Sequence, residues 1–216
     1  MKKHLAIIGA GGQAKEIANM VRDINNALIK PNIHVADYTC YDVTFFVDDD
    51  YLSHYPEARP LSELDILKYV TVVGIGDSKQ RSEFVNHKLP PKTVYETLIH
   101  PTAIIGTGVD IGEGTVIQAN THITVDSQIG KHCLLNYYSH VSHDCILYDF
   151  VTLGPKAGVN GHCVIGDNVY LGASSSVRDR IVITHDVFVG IGGIVVKDIY
   201  KEGTYIGNPA KLIKNK

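Results

Sequence analysis

The chain has 216 residues, 44% of them apolar and 20% charged, a balance that supports one or two buried cores and excludes a disordered chain. A formal charge of −3 with 20 Lys and Arg leaves no overall basic field to hold nucleic acid. No run reaches the roughly 18 apolar residues that a membrane helix needs, and the apolar stretch behind Lys2-Lys3-His4 is too short for a secretory signal, so a cytoplasmic protein without nucleic-acid or membrane partners is expected.

In chain order, Lys3 to Ile8 reads as a strand and Gly9-Ala10-Gly11-Gly12-Gln13-Ala14 as a tight loop. A helix with Ala14, Ile17, Ala18 and Val21 on its apolar face should follow. Val43 to Val47 is a second strand, ending in Asp48-Asp49-Asp50. Val70 to Ile75 is a third, ending at Gly76-Asp77. Asp77 or Ser78 can cap a helix running to about Leu89. Alternating strands and helices imply a small, Rossmann-like parallel sheet over residues 1–99, an α/β domain. Such sheets receive ligands at the C-terminal ends of their strands. Here those ends carry Gly9, Gly11, Gly12 and Gln13, then Asp48 and Asp49, then Gly76. Gly9-x-Gly11-x-x-Ala14 loosely matches a dinucleotide fingerprint. A nucleotide-linked substrate, a nicotinamide cofactor and a purely structural turn all fit it.

From Ile105 every sixth residue through Val195 is Ile, Leu or Val, sixteen in succession. The residue two before each is mostly small or β-branched, as at Ala103, Thr115, Ser139 and Ser175, and Gly often follows, as at Gly106, Gly130 and Gly172. Period six fits neither a helix nor a simple strand. It fits a short β segment and a tight corner, repeated, with the apolar residue inward and Gly or a polar residue taking the bend. Three sides make a coil of eighteen residues, and about five coils stack at the sheet spacing of about 4.8 Å. Residues 100–198 form this domain and 199–216 a C-terminal tail. Cys133, Cys145 and Cys163 fall on the small inward position and read as buried thiols, and no Cys-x-x-Cys pair supports a zinc or redox site.

This pattern resembles the hexapeptide repeat of left-handed parallel β-helix acyltransferases. With the Gly-rich loop in front and Gly207-Asn208-Pro209-Ala210-Lys211 behind, the whole chain is similar in layout to the sugar acetyltransferases of the bacillosamine and sialic acid pathways. The resemblance implies that the first domain holds a nucleotide sugar, that the β-helix forms a homotrimer, and that acetyl-CoA lies between neighbouring helices. The activity implied is N-acetylation of a UDP- or dTDP-linked 4-amino-4,6-dideoxy sugar in surface polysaccharide biosynthesis. O-acetylation of a sialic-acid-like sugar is the alternative.

Acetyl transfer needs a base, an oxyanion donor and a groove for the donor arm. Histidine is the natural base near neutral pH. The family motif of His followed by an acid falls on His143 and Asp144, the first as base and the second orienting it. Gly161 matches the family position whose backbone N–H faces the thioester carbonyl, and Asn136 one near the sugar. Gly9, Gly11, Gly12, Gln13, Asp48, Asp49 and Gly76 are the expected substrate contacts. Gly161, Gly172, Gly190 and Gly192 with Lys197 and Lys211 are those for acetyl-CoA. The chain departs from the family at Gln13 and Thr152, each standing where the family has histidine. His122 and His140, eighteen residues apart, should stack on adjacent coils. A zinc lyase on the same fold is a rival reading, but its paired histidines stand five apart and no two histidines here do, so no metal is expected. A non-catalytic β-helix scaffold is a third reading, and the His143-Asp144 pair argues against it.

Overall fold

The run Leu5 to Ile8 is buried at every residue, as a run without a polar face must be when its sheet is covered on both sides. In the computed structural model, which describes residues 2–27 and 39–213, it forms most of β1 (Lys2–Ile8). Helix α1 (Gly12–Ala27) follows, then β2 (Cys40–Val47), β3 (Arg59–Pro60) and β4 (Tyr69–Val73). The order is β3-β2-β1-β4, all parallel. α1 buries Ala14, Ile17, Met20 and Val21. Met20 joins the face the periodicity predicts, and Ala18 sits at its half-buried margin. Asp77 caps α2 (Ser78–Glu83) by accepting from Gln80 N–H at 2.8 Å. The turn then widens over Phe84–Lys88, where Leu89 N–H reaches back to the Phe84 carbonyl.

The period-six segment folds as a left-handed parallel β-helix. The first face contains Leu98–Ile99, Val116–Ile117, Leu134–Leu135, Thr152–Leu153 and Tyr170–Leu171. The second begins at Ile104–Ile105 and includes His122–Ile123 and His140–Val141. The third begins at Asp110–Ile111 and includes Ile146–Leu147. Each strand pairs with the one eighteen residues on, as at Leu134↔Thr152 and His122↔His140. The inward residues from Ile117 to Val195 are buried in one continuous core. Ile105 and Ile111, in the first coil, pack against it half-buried. Cys133, Cys145 and Cys163 are buried there too, and burial pushes the Cys133 thiol up to about 12.

Gly or, mostly, a polar residue takes each bend, as expected. The left-handed backbone of each turn falls three residues past the inward position, at Asp126, Asp144, His162 and Asp186 among others. The glycine directly after the inward residue is not what bends the chain. It permits close stacking: a Cβ on Gly154 would lie 2.7 Å from Ala173 N, and one on Gly172 2.7 Å from Ile191 N. Beyond residue 198 the first face continues, because Gly203–Ile206 pairs in parallel with Val187–Val189 and Lys211–Leu212 folds back antiparallel.

The α/β domain rests on the first face. Leu5, Ile7 and Ala14 share a cluster with Leu98, Val116 and Leu134. At the same junction the His132 ring stacks on Phe150 at 5.2 Å and meets the Tyr95 edge at 4.5 Å. Its Nδ1 has no hydrogen-bond partner among the described residues. Burial holds this imidazole down to about 4, against an ordinary 6.5. The unfolded chain therefore takes up a proton below pH 6.5 that the folded chain refuses until about pH 4. Stability should fall as pH drops through that window, by up to roughly 3 kcal/mol. Urea unfolding of wild type and His132→Gln from pH 7 to 4 checks this: the variant should lose distinctly less stability, and equal loss would remove His132 as the cause.

Candidate active site

Two features stand apart on the molecule. The first is a cavity of about 300 Å³ at the C-terminal ends of β1, β2 and β4. It brings together Gly9, Gly11, Gly12, Gln13, Asp48 and Gly76. Gly9 needs its φ of +105° to turn the chain out of β1. The N-terminus of α1 opens here, with no acidic residue in its first turn to occupy the unpaired N–H groups. That is the setting an anion prefers. Asp48 lines the cavity with its carboxylate 3.0 Å from Lys88 Nζ. Asp49 does not join it: its carboxylate accepts from Ser62 N–H, and the Ser62 contacts keep it below the usual range. Tyr51, Tyr55 and Phe84 complete the wall. No motif in the sequence singled them out, since they reach the cavity from the turns after β2 and α2.

The second feature lies on the edge between the second and third faces. His143 and Asp144 occupy the corner after Val141, with the His143 side chain 52% exposed. The left-handed backbone at Asp144 (φ 56°) accompanies a carboxylate turned toward the preceding ring. His143 Nδ1 donates to Asp144 Oδ2 at 2.7 Å, which leaves Nε2 as the lone-pair nitrogen. That hydrogen bond, and then the neighbouring His162, hold the Asp144 carboxyl below its ordinary range. One coil on, Gly161 lies against the imidazole: a Cβ there would stand 2.7 Å from both Cε1 and Nε2. The Gly161 N–H donates to no acceptor among the described residues. His162 meets His143 edge to face at 5.0 Å, and its Nδ1 is 3.7 Å from Asp144 Oδ2. No motif in the sequence singled out His162. The eighteen-residue offset from Asp144 is the signal that pairs them. His143, Asp144 and His162 each present one ligand-type atom within 4.8 Å of the others.

A second His-Asp doublet, His185-Asp186, stands on the edge between the third and first faces with Nδ1 3.0 Å from Oδ2. Its surroundings differ. Lys79 bonds Asp186 at 3.1 Å and Glu202 lies 3.5 Å from His185. The Asp186 hydrogen bond and the Glu202 charge raise the His185 imidazole, stabilising its cationic form.

The remaining expected residues do not gather at one place in a single chain. Lys197 shares the edge of His143. Gly172, Gly190 and Gly192 follow the first face, on the edge between it and the second. Lys211 is exposed on the added antiparallel strand. Asn136 is buried inside the coil, its amide donating to the Leu153 carbonyl at 3.1 Å. Thr152 is buried at the domain junction, accepting from Arg81 and Ser78 and donating to the Gly76 carbonyl. His122 and His140 stack on the second face as expected, and burial with the His122 charge lowers the His140 imidazole.

Residues 4–88 match the family model described as the PglD N-terminal domain. None of the curated proteins matches the sequence. Among solved structures, the acetyltransferase domain of PglB from Neisseria gonorrhoeae FA1090, in complex with acetyl coenzyme A, is 25% identical with a TM-score of 0.82, over 99% of this chain and 100% of that one. PerB from Caulobacter crescentus, in complex with CoA and GDP-perosamine, is 27% identical with a TM-score of 0.76, over 98% and 97%. WeeI from Acinetobacter baumannii AYE is 25% identical with a TM-score of 0.80, over 99% and 100%.

Proposed function

We propose that this chain, whose residues 4–88 match the PglD N-terminal domain model, transfers acetyl from acetyl-CoA to the amino group of a nucleotide-linked 4-amino-4,6-dideoxy sugar. The observation that carries this reading is the exposed His143–Asp144 pair held against Gly161. His143 Nε2 takes the proton of the attacking amine as the new N–C bond forms. Asp144 keeps Nδ1 protonated and the ring in place. The Gly161 N–H faces the oxyanion of the tetrahedral intermediate. The C–S bond then breaks, and the imidazolium returns its proton to the CoA sulfur. No metal takes part.

The cavity at α1 accepts the nucleotide: its helix N-terminus suits a diphosphate and Asp48 a nucleoside hydroxyl. Within one chain, His143 sits on the edge between the second and third faces, while the α/β domain covers the first face. A homotrimer joins these parts by setting the His143 edge of one protomer beside a neighbour's sugar and the glycines at 172, 190 and 192. Acetyl-CoA then lies in the seam, with Lys197 and Lys211 near its phosphates. The enzyme works in the cytoplasm in polysaccharide biosynthesis. Among the described residues no helix is long and apolar enough to cross a membrane.

A relative bound to GDP-perosamine widens the nucleotide beyond the UDP and dTDP expected from the sequence. The test is CoA-thiol release with acetyl-CoA across a panel of UDP-, dTDP- and GDP-linked 4-amino sugars, with a sialic-acid-like sugar as the O-acetyl arm. One amino sugar should turn over at least a hundredfold faster than its 4-hydroxy counterpart. Turnover of the hydroxyl acceptor alone would transfer the reading to O-acetylation, and no turnover with any acceptor would end it.

A further inference from the structure

Behind the wall of the Gly-rich cavity lies a charge with no counter-ion. Arg81 is 2% exposed. Its Nε donates to the His132 carbonyl at 2.8 Å, and Nη2 to the Phe150 carbonyl at 2.9 Å and Thr152 Oγ1 at 2.8 Å. Nη1 donates to the Ile75 carbonyl at 2.8 Å and the Gly76 carbonyl at 3.2 Å. All five bonds are to neutral oxygens, and no carboxylate lies within ion-pair distance of the guanidinium among the described residues; Asp77 favours its charge only from farther off. Ile75 and Gly76 are cavity wall. His132, Phe150 and Thr152 belong to the β-helix. Thr152 is further tied to Ser78 at 3.0 Å and to the Gly76 carbonyl at 3.3 Å.

An unpaired buried cation is costly, and an apolar side chain of similar volume would join two domains at least as well. Arg is nonetheless present, and burial lowers it only to about 10, so it stays charged at neutral pH. Resting on the nucleotide-sugar reading above, we propose that Arg81 is a positioning residue for the substrate: it clamps the Ile75–Gly76 wall to the β-helix, and its charge is neutralised across that wall by the diphosphate of the bound nucleotide. Thr152 belongs to the same clamp.

A clamp that only shapes the wall would affect charged and uncharged ligands alike, whereas a charge effect grows with ligand charge. The test is calorimetric binding of uridine and UDP, thymidine and dTDP, and guanosine and GDP to wild type, Arg81→Met and Arg81→Lys. Arg81→Met should weaken the best-binding diphosphate at least tenfold and its nucleoside less than threefold. Arg81→Lys should recover most of the diphosphate affinity. Equal losses for nucleoside and diphosphate, or no loss, would overturn the proposal and leave the nucleotide reading standing. Failure of every diphosphate to bind wild type would overturn both. If Arg81→Met does not fold, Arg81→Gln, verified by circular dichroism, carries the same comparison.

Discussion

His143→Ala should lower kcat by more than about a hundredfold, the scale of general-base catalysis, while the protein keeps its fold and oligomeric state. The side chain is half exposed and makes one side-chain hydrogen bond, to Asp144, so its removal should change stability by less than about 0.5 kcal/mol. The loss should fall on kcat, because the base acts in the transition state and contributes little to ground-state binding. Initial rates of CoA release, with gel filtration and thermal unfolding of the same preparation, measure both halves. Near-full activity in a well-folded variant would remove His143 from the mechanism. A second imidazole, His162, lies 5.0 Å away, yet it holds its Nδ1 3.7 Å from Asp144 Oδ2 and lacks the close carboxylate bond that orients His143.

The second large effect is expected from Gly161→Ala. The backbone there is not in the left-handed region, so alanine brings no conformational strain. Its Cβ would, however, stand 2.7 Å from Cε1 and Nε2 of His143, inside van der Waals contact. The exposed ring is the part able to move. Swinging it outward costs little stability, under about 1 kcal/mol, but draws Nδ1 from Asp144 and Nε2 from the reacting amine. A displacement of about 1 Å can cost on the order of a hundredfold in rate, and kcat should fall by about that much with the Tm nearly unchanged. Wild-type kcat in Gly161→Ala would show that contact with Gly161 does not set the ring's position. Lost activity accompanied by a large drop in Tm would point to damaged coil stacking instead.

The β-helix was legible in the sequence because its rule is local and repeated. One apolar residue in six faces the axis, and sixteen repetitions without a slip leave a single way to bury them. The strand ends were legible for a similar reason: Gly9–Gln13 and Gly76 follow apolar runs that can only be parallel strands. The eighteen-residue coil also brought His122 to His140 before any coordinates, whereas the contact of Gly161 with the His143 ring is seen only in the structure. The role of Gly after the inward position was not legible, because it answers to the backbone of the next coil, which local pattern does not reveal.

By itself, then, the sequence determined a small α/β domain followed by a period-six helix, a Gly-rich strand end, and the His143-Asp144 doublet, since these follow from side-chain type and spacing along one stretch of chain. Only the tertiary structure revealed a second His-Asp doublet and the different surroundings of the two. Lys79, from the other domain, and Glu202 occupy His185-Asp186, while Gly161, His162 and open solvent surround His143-Asp144. It likewise drew Asp48 into the cavity and left Asp49 on Ser62, turned Asn136 into the coil, and buried Arg81 between domains. Each of these outcomes is set by which groups arrive from distant parts of the chain to share desolvated space, and no local pattern carries that information.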